Sequence, residues 1–130
     1  MSAVKVPLGE LPVASTSLSS GVAAEMVGGD LTLRFTFPRA GAAYRGGVLF
    51  EKVRASRWTT ESLCTAWNIE GAYDTIAEVE QSDWVDELQA AEPAHHRGFW
   101  AMRHFMLFID GAGCFEVVAA SWSLLPEMPA

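Results

Sequence analysis

Cysteine and histidine are scarce in this chain. Cys64 and Cys114 are the only cysteines among 130 residues. That is too few for a disulfide framework, so both read as buried free thiols in a cytoplasmic protein. A metal site would need more histidine than His95, His96 and His104 provide. Adjacent His95 and His96 point opposite ways on an extended chain, and no His-Glu-x-x-His, Cys-x-x-Cys or EF-hand spacing occurs. Asp110-Gly111-Ala112-Gly113 lacks the carboxylates of a calcium loop, so neither metal nor cofactor is expected. Also missing are the Gly-x-Ser-x-Gly elbow, the Walker loop and a Gly-x-Gly-x-x-Gly turn after a strand. With them go the usual signatures of hydrolases, phosphate-loop enzymes and dinucleotide cofactors.

Positive charge is in deficit too. Lys and Arg total 9 against 16 Asp and Glu, a net charge of -7. Phosphate backbones and anionic lipid need clustered positive charge, so nucleic acid and membrane surfaces are not expected partners. No apolar run approaches the ~18 residues of a transmembrane helix. The opening stretch carries a single lysine, Lys5, and is interrupted by Pro7, Gly9 and Pro12, unlike a secretory leader.

What is present is apolar bulk. Half of the chain is hydrophobic, with five Trp and seven Phe, which suits one packed domain rather than disorder. The densest stretch, 99–122, reads as a β-hairpin. Apolar residues fill 99–109 apart from Arg103 and His104, Gly111 and Gly113 supply turn chemistry, and Val117-Val118 favours strand over the competing single helix. A two-residue loop at Gly111-Ala112 would place Phe108 opposite Phe115, Phe105 opposite Val118 and His104 opposite Ala119; a longer loop would shift those pairs. Both faces are apolar, so these are central strands, with Phe105, Leu107, Phe108, Phe115, Val117 and Val118 in the core.

Around the hairpin the chain divides into an arm at 1–29, weakly structured or with one edge strand, a domain at 30–126, and a frayed tail at 127–130. Leu31, Leu33, Phe35 and Phe37 alternate with polar residues, a half-buried strand that Pro38 should end. A partly covered strand follows from Arg45 to about Trp58. Residues 60–67 read as a short helix capped by Thr59, or as more strand, and 73–80 as a strand or extended connection. Ser82 caps a helix at 83–91 that sets Trp84, Val85, Leu88 and Ala91 against the sheet. The expected fold is α+β: an antiparallel sheet of four to six strands with one or two short helices packed on one face.

The order of the charges is the least ordinary feature. Residues 34–57 hold six bases and only Glu51 as an acid, whereas 61–92 hold nine acids and no Lys, Arg or His. Either the two segments neutralise each other, or the acids form a face that docks a basic protein. The second reading, a non-catalytic inhibitor, immunity-like protein or regulator, places the partner contact on Asp83, Asp86, Glu87, Glu78 and Glu80. The alternative is a small-molecule or enzymatic pocket near the hairpin and the tryptophans, formed by Arg54, Arg57, Trp100, Arg103, His104 and Glu116. Glu116 would have a raised pKa if dry, although pairing with Arg103 or an arginine of the basic strand is its simpler fate. A Cys114–His104 dyad is out of reach in the two-residue-loop register; a Cys64–His104 pair stays open. The five tryptophans are expected mostly in the core, some of them lining a ligand surface.

Overall fold

In the computed structural model, which describes residues 3–130, the elements follow the chain as β1 (Val4–Glu10), β2 (Ala23–Val27), β3 (Asp30–Arg39), β4 (Ala42–Glu51), β5 (Ala55–Thr59), α1 (Ala66–Ile69), β6 (Thr75–Glu80), α2 (Asp83–Ala91), β7 (Arg103–Ile109), β8 (Gly113–Ala119), β9 (Ser121–Leu124) and β10 (Met128–Pro129). The named strands pair antiparallel, and with two short helices the fold is α+β. The strands form two sheets. One has the order β1-β6-β7-β8-β5; the other has the order β10-β4-β3-β2, with β9 also on β4.

The sheets meet at a corner. Lys52, in the left-handed region at φ 55, turns the chain between β4 and β5. Backbone bonds from Ala120 N to Glu51 O and from Arg54 N to Val118 O carry the ladder around it, so β4–β5 and β8–β9 change sheet together. Residues 45–58 are therefore not one strand. Facing side chains build the core by strict alternation. Leu33, Phe35, Phe37, Val48 and Phe50 pack against Ile76, Phe105, Leu107 and Val117, with Phe50 and Phe105 rings 5.7 Å apart. On its other face the first sheet carries a smaller cluster of Val79, Met106, Phe108 and Cys114 beneath Ile69 and Cys64. β7 and β8 are thus interior strands covered on both faces; of the six core residues named from sequence, Phe115 alone is half-buried.

Several boundaries differ from the sequence reading. The hairpin loop has three residues, Asp110–Ala112, so Phe108 pairs with Cys114, Phe105 with Val117 and His104 with Val118. Gly113 allows this register: its φ is 117, and a Cβ there would strike the carbonyl oxygen of Thr59. Of the expected arm, residues 3–29 supply edge strands to both sheets rather than a weakly structured segment. β1 lies along β6 and β2 along β3, while Leu11 is buried in the main core between them. Pro7 is tolerated because β1 is an edge strand with a register shift between Pro7 and Gly9. Pro38 does not end β3, which reaches Arg39; the last β2 pairing is at Arg34, so the missing N–H interrupts no ladder on that side. Residues 60–67 form a 3-10 turn at Glu61–Leu63 and the start of α1. Met128 and Pro129 pair with Arg45 and Tyr44, which ties down the expected tail.

Candidate functional site

β7 and β8 are one residue out of the two-residue-loop register, and that slip creates the main polar feature of the molecule. It moves His104 and Glu116 onto the same face of the sheet. His104 Nε2 lies 2.9 Å from Glu116 Oε1, and His104 Nδ1 lies 2.8 Å from Ser82 Oγ. Arg57, directly opposite Glu116 on β5, donates to both carboxylate oxygens at 2.9 and 3.0 Å. Ser82, the N-cap of α2, accepts from Val85 N at 3.2 Å. If the Nε2 proton goes to Glu116, Nδ1 accepts from the Ser82 hydroxyl and every donor in the chain has an acceptor. Ser82, His104 and Glu116 are all buried. Trp84 meets the imidazole edge-on at 5.1 Å, and the Arg57 guanidinium stacks 4.0 Å from the centre of the indole. Burial would raise the Glu116 pKa, but the hydrogen bonds from His104 and Arg57 outweigh it and lower the value to about 2. The carboxyl is therefore ionised, and its partner is Arg57, an arginine of the basic segment as expected for its simpler fate, so the raised value of a dry carboxyl does not arise.

A serine, a histidine and a glutamate in series invite comparison with a nucleophilic triad. Here the serine is sealed beneath α2 and its oxygen is engaged as a helix cap, so the chain works as a clamp. It fixes the start of α2 to the centre of the sheet. Ser82 was legible in the sequence as a cap; its bond to His104, across 22 residues, has no signal in spacing. Cys64 forms no pair with His104. Its thiol sits against the carbonyls of Thr59 and Thr60, and both ring nitrogens of His104 are already bonded.

The residues expected to share one pocket separate into three groups. Arg57, His104 and Glu116 belong to the buried clamp. Arg54 pairs with Glu92 at 2.7 Å and lies 4.6 Å from the centre of the Trp100 ring, beside a cleft of about 280 Å³. Arg103 points to the opposite face of β7 from His104, where it holds Glu78 with two hydrogen bonds. None of the five tryptophans is fully buried. Three instead lie under cations: Trp67 under Lys5, Trp84 under Arg57 and Trp100 under Arg54.

The acidic residues divide as well. Glu78 is committed to Arg103, and strand alternation sets Glu80 on that same side, exposed at the end of β6. Asp83, Asp86 and Glu87 lie on one exposed stripe of α2, opposite the half-buried Trp84, Val85 and Leu88. Arg54–Glu92 is the one ion pair among the described residues that joins the basic segment to the acidic one; Arg34, Arg39 and Arg57 pair elsewhere. A cavity of about 690 Å³ has Arg57 and Glu116 of the clamp among its lining residues. It opens between the edges of β2 and β5 and is lined by Val22, Met26, Leu31, Trp58, Phe115 and Val117. No group of three or more His, Cys, Asp or Glu among the described residues is placed to hold a metal ion.

No family model, curated protein or solved structure matches the chain.

Proposed function

We propose that the protein is a non-catalytic cytoplasmic binding module that docks a basic protein through α2. One observation carries this reading. Asp83, Asp86 and Glu87 share an exposed stripe with no basic side chain within salt-bridge reach among the described residues. Like charges three and four residues apart repel by a few tenths of a kcal/mol, a cost that a cationic partner removes. The clamp beneath the helix supports the same reading, because a rigid charged stripe loses little freedom on binding. Such a surface acts chiefly on encounter rate and specificity.

The test is capture of a partner by the immobilised protein at low salt and at about 0.5 M salt, where surface charges are screened within a few ångströms. Wild type and an Asp83→Lys, Asp86→Lys variant are compared. A partner retained by wild type at low salt should be lost at high salt and lost from the variant, with the melting temperature of the variant little changed. A lower melting temperature with no change in capture would overturn the proposal.

A second reading rests on the groove between β2 and β5. Its wall includes Trp58, 57% exposed yet held in place by a 3.0 Å hydrogen bond from its indole to Ala112 O. A fixed, exposed indole beside an apolar groove suits a small apolar ligand. Saturable quenching of tryptophan fluorescence by such a ligand, abolished by Trp58→Ala, would favour this reading over the first.

A further inference from the structure

The outer face of the second sheet carries side chains that the α2 surface does not use. Register places Arg34 opposite Gly47 and Thr36 opposite Arg45 on the neighbouring strand, so Arg34 and Arg45 are diagonal neighbours on one face. Gly47 puts no side chain between them. The returning C-terminal segment supplies a wall: Leu125 N bonds to Gly47 O, and Met128 pairs with Arg45. The result is a concave site of about 460 Å³ with both arginines, the Ser20 and Thr36 side chains, and Leu125, Pro126 and Met128 around it.

The charges in this site are under-used. Arg45 makes no ion pair or side-chain hydrogen bond among the described residues, and Arg34 has only Glu25 at 3.9 Å, with both side chains more than half exposed. The nearby Glu127 is taken by Arg39 at 2.9 Å. In a chain of net charge -7 the overall field repels anions, so any anion bound here must be held by local contacts. Guanidinium forks match the geometry of an oxyanion, and the apolar wall next to them matches a hydrocarbon.

We propose that Arg34 and Arg45 clamp the oxyanion head of a small amphiphilic molecule whose apolar body lies against Leu125, Pro126 and Met128. The site is separate from α2 and does not depend on the docking of a basic partner.

The probes are hexanoate, which carries head and body, and inorganic phosphate, which carries the head alone. Each is titrated by NMR, following the Arg34 and Arg45 Nε–H signals and the Leu125 and Met128 methyls. Hexanoate should shift all four sets saturably, and phosphate should bind about tenfold more weakly for want of the apolar contact. Arg45→Met keeps the stem, drops the charge and should weaken hexanoate about tenfold. Its melting temperature should match wild type, because the guanidinium it removes has no ion-pair or hydrogen-bond partner among the described residues. Arg97→Met, outside the site, should change nothing. Failure of hexanoate to saturate by about 10 mM would overturn the site. Unchanged hexanoate binding by Arg45→Met would do the same, and phosphate binding as tightly as hexanoate would overturn the amphiphilic ligand.

Discussion

At the scale of single residues, Glu116 ties stability to pH. Its folded pKa, about 2, lies below the ordinary 4.5, so the stability it contributes is present in full above about pH 4.5 and is lost as pH falls from there toward 2. Glu116→Gln should destabilise the protein by about 2–4 kcal/mol at neutral pH, because it removes the charge that Arg57 and His104 share. The gap in melting temperature between the variant and wild type should then close between pH 4.5 and 2. A gap that does not change with pH would show that shape, not charge, holds the clamp. Cys114 shifts the other way. Burial first, then the neighbouring Glu116 charge, pushes its thiol up to about 12. At pH 8 a thiol reagent should therefore label Cys114 slowly in the folded protein and at an ordinary rate once unfolded. Rapid labelling of the native protein would contradict this.

The elements show where the sequence was legible and where it was not. Strands with a clear period or a dense apolar run, β3, β7 and β8, could be read directly, as could α2 with its Ser82 cap. Register could not, because three-residue and two-residue loops at Asp110-Gly111-Ala112-Gly113 both satisfy the glycines, and the contact that decides between them is with Thr59, more than fifty residues away. Since the period of a strand is two, that one step moved His104 from the face opposite Glu116 to the face they share. The candidate site was partly hidden by the same step: its members were named, and so was the pairing of Glu116 with a basic-segment arginine, but not the bonds that His104 makes to Glu116 and Ser82. Phe108 provides an energetic check on the central hairpin. Buried in the smaller cluster and stacked on Tyr73 at 5.7 Å, it should cost about 3–5 kcal/mol when replaced by alanine. A melting temperature within a degree or two of wild type would mean that the cluster repacks at no cost.

Across the whole molecule, the division into two sheets and the fixing of residues 4–27 arise from contacts that no local pattern announces. The first strand is short, interrupted by Pro7 and Gly9, and weakly apolar, so it reads as an arm; pairing with β6 makes it part of the sheet. The contact that joins the two ends of the chain is between Gly9 on β1 and Trp122 on β9. A Cβ on Gly9 would lie 2.5 Å from the far edge of the indole. That edge belongs to a half-buried ring packed against the main core, so it has little room to withdraw. Gly9→Val should therefore separate β1 from β9, with a loss of about 1–3 kcal/mol from overpacking. Gly21→Val is the matched control, since a Cβ there meets nothing within 4 Å. If the first strand is integral, Gly9→Val should melt several degrees below wild type and alter tryptophan fluorescence, while Gly21→Val should do neither. Equal melting of both variants would return β1 to the status of a dispensable arm.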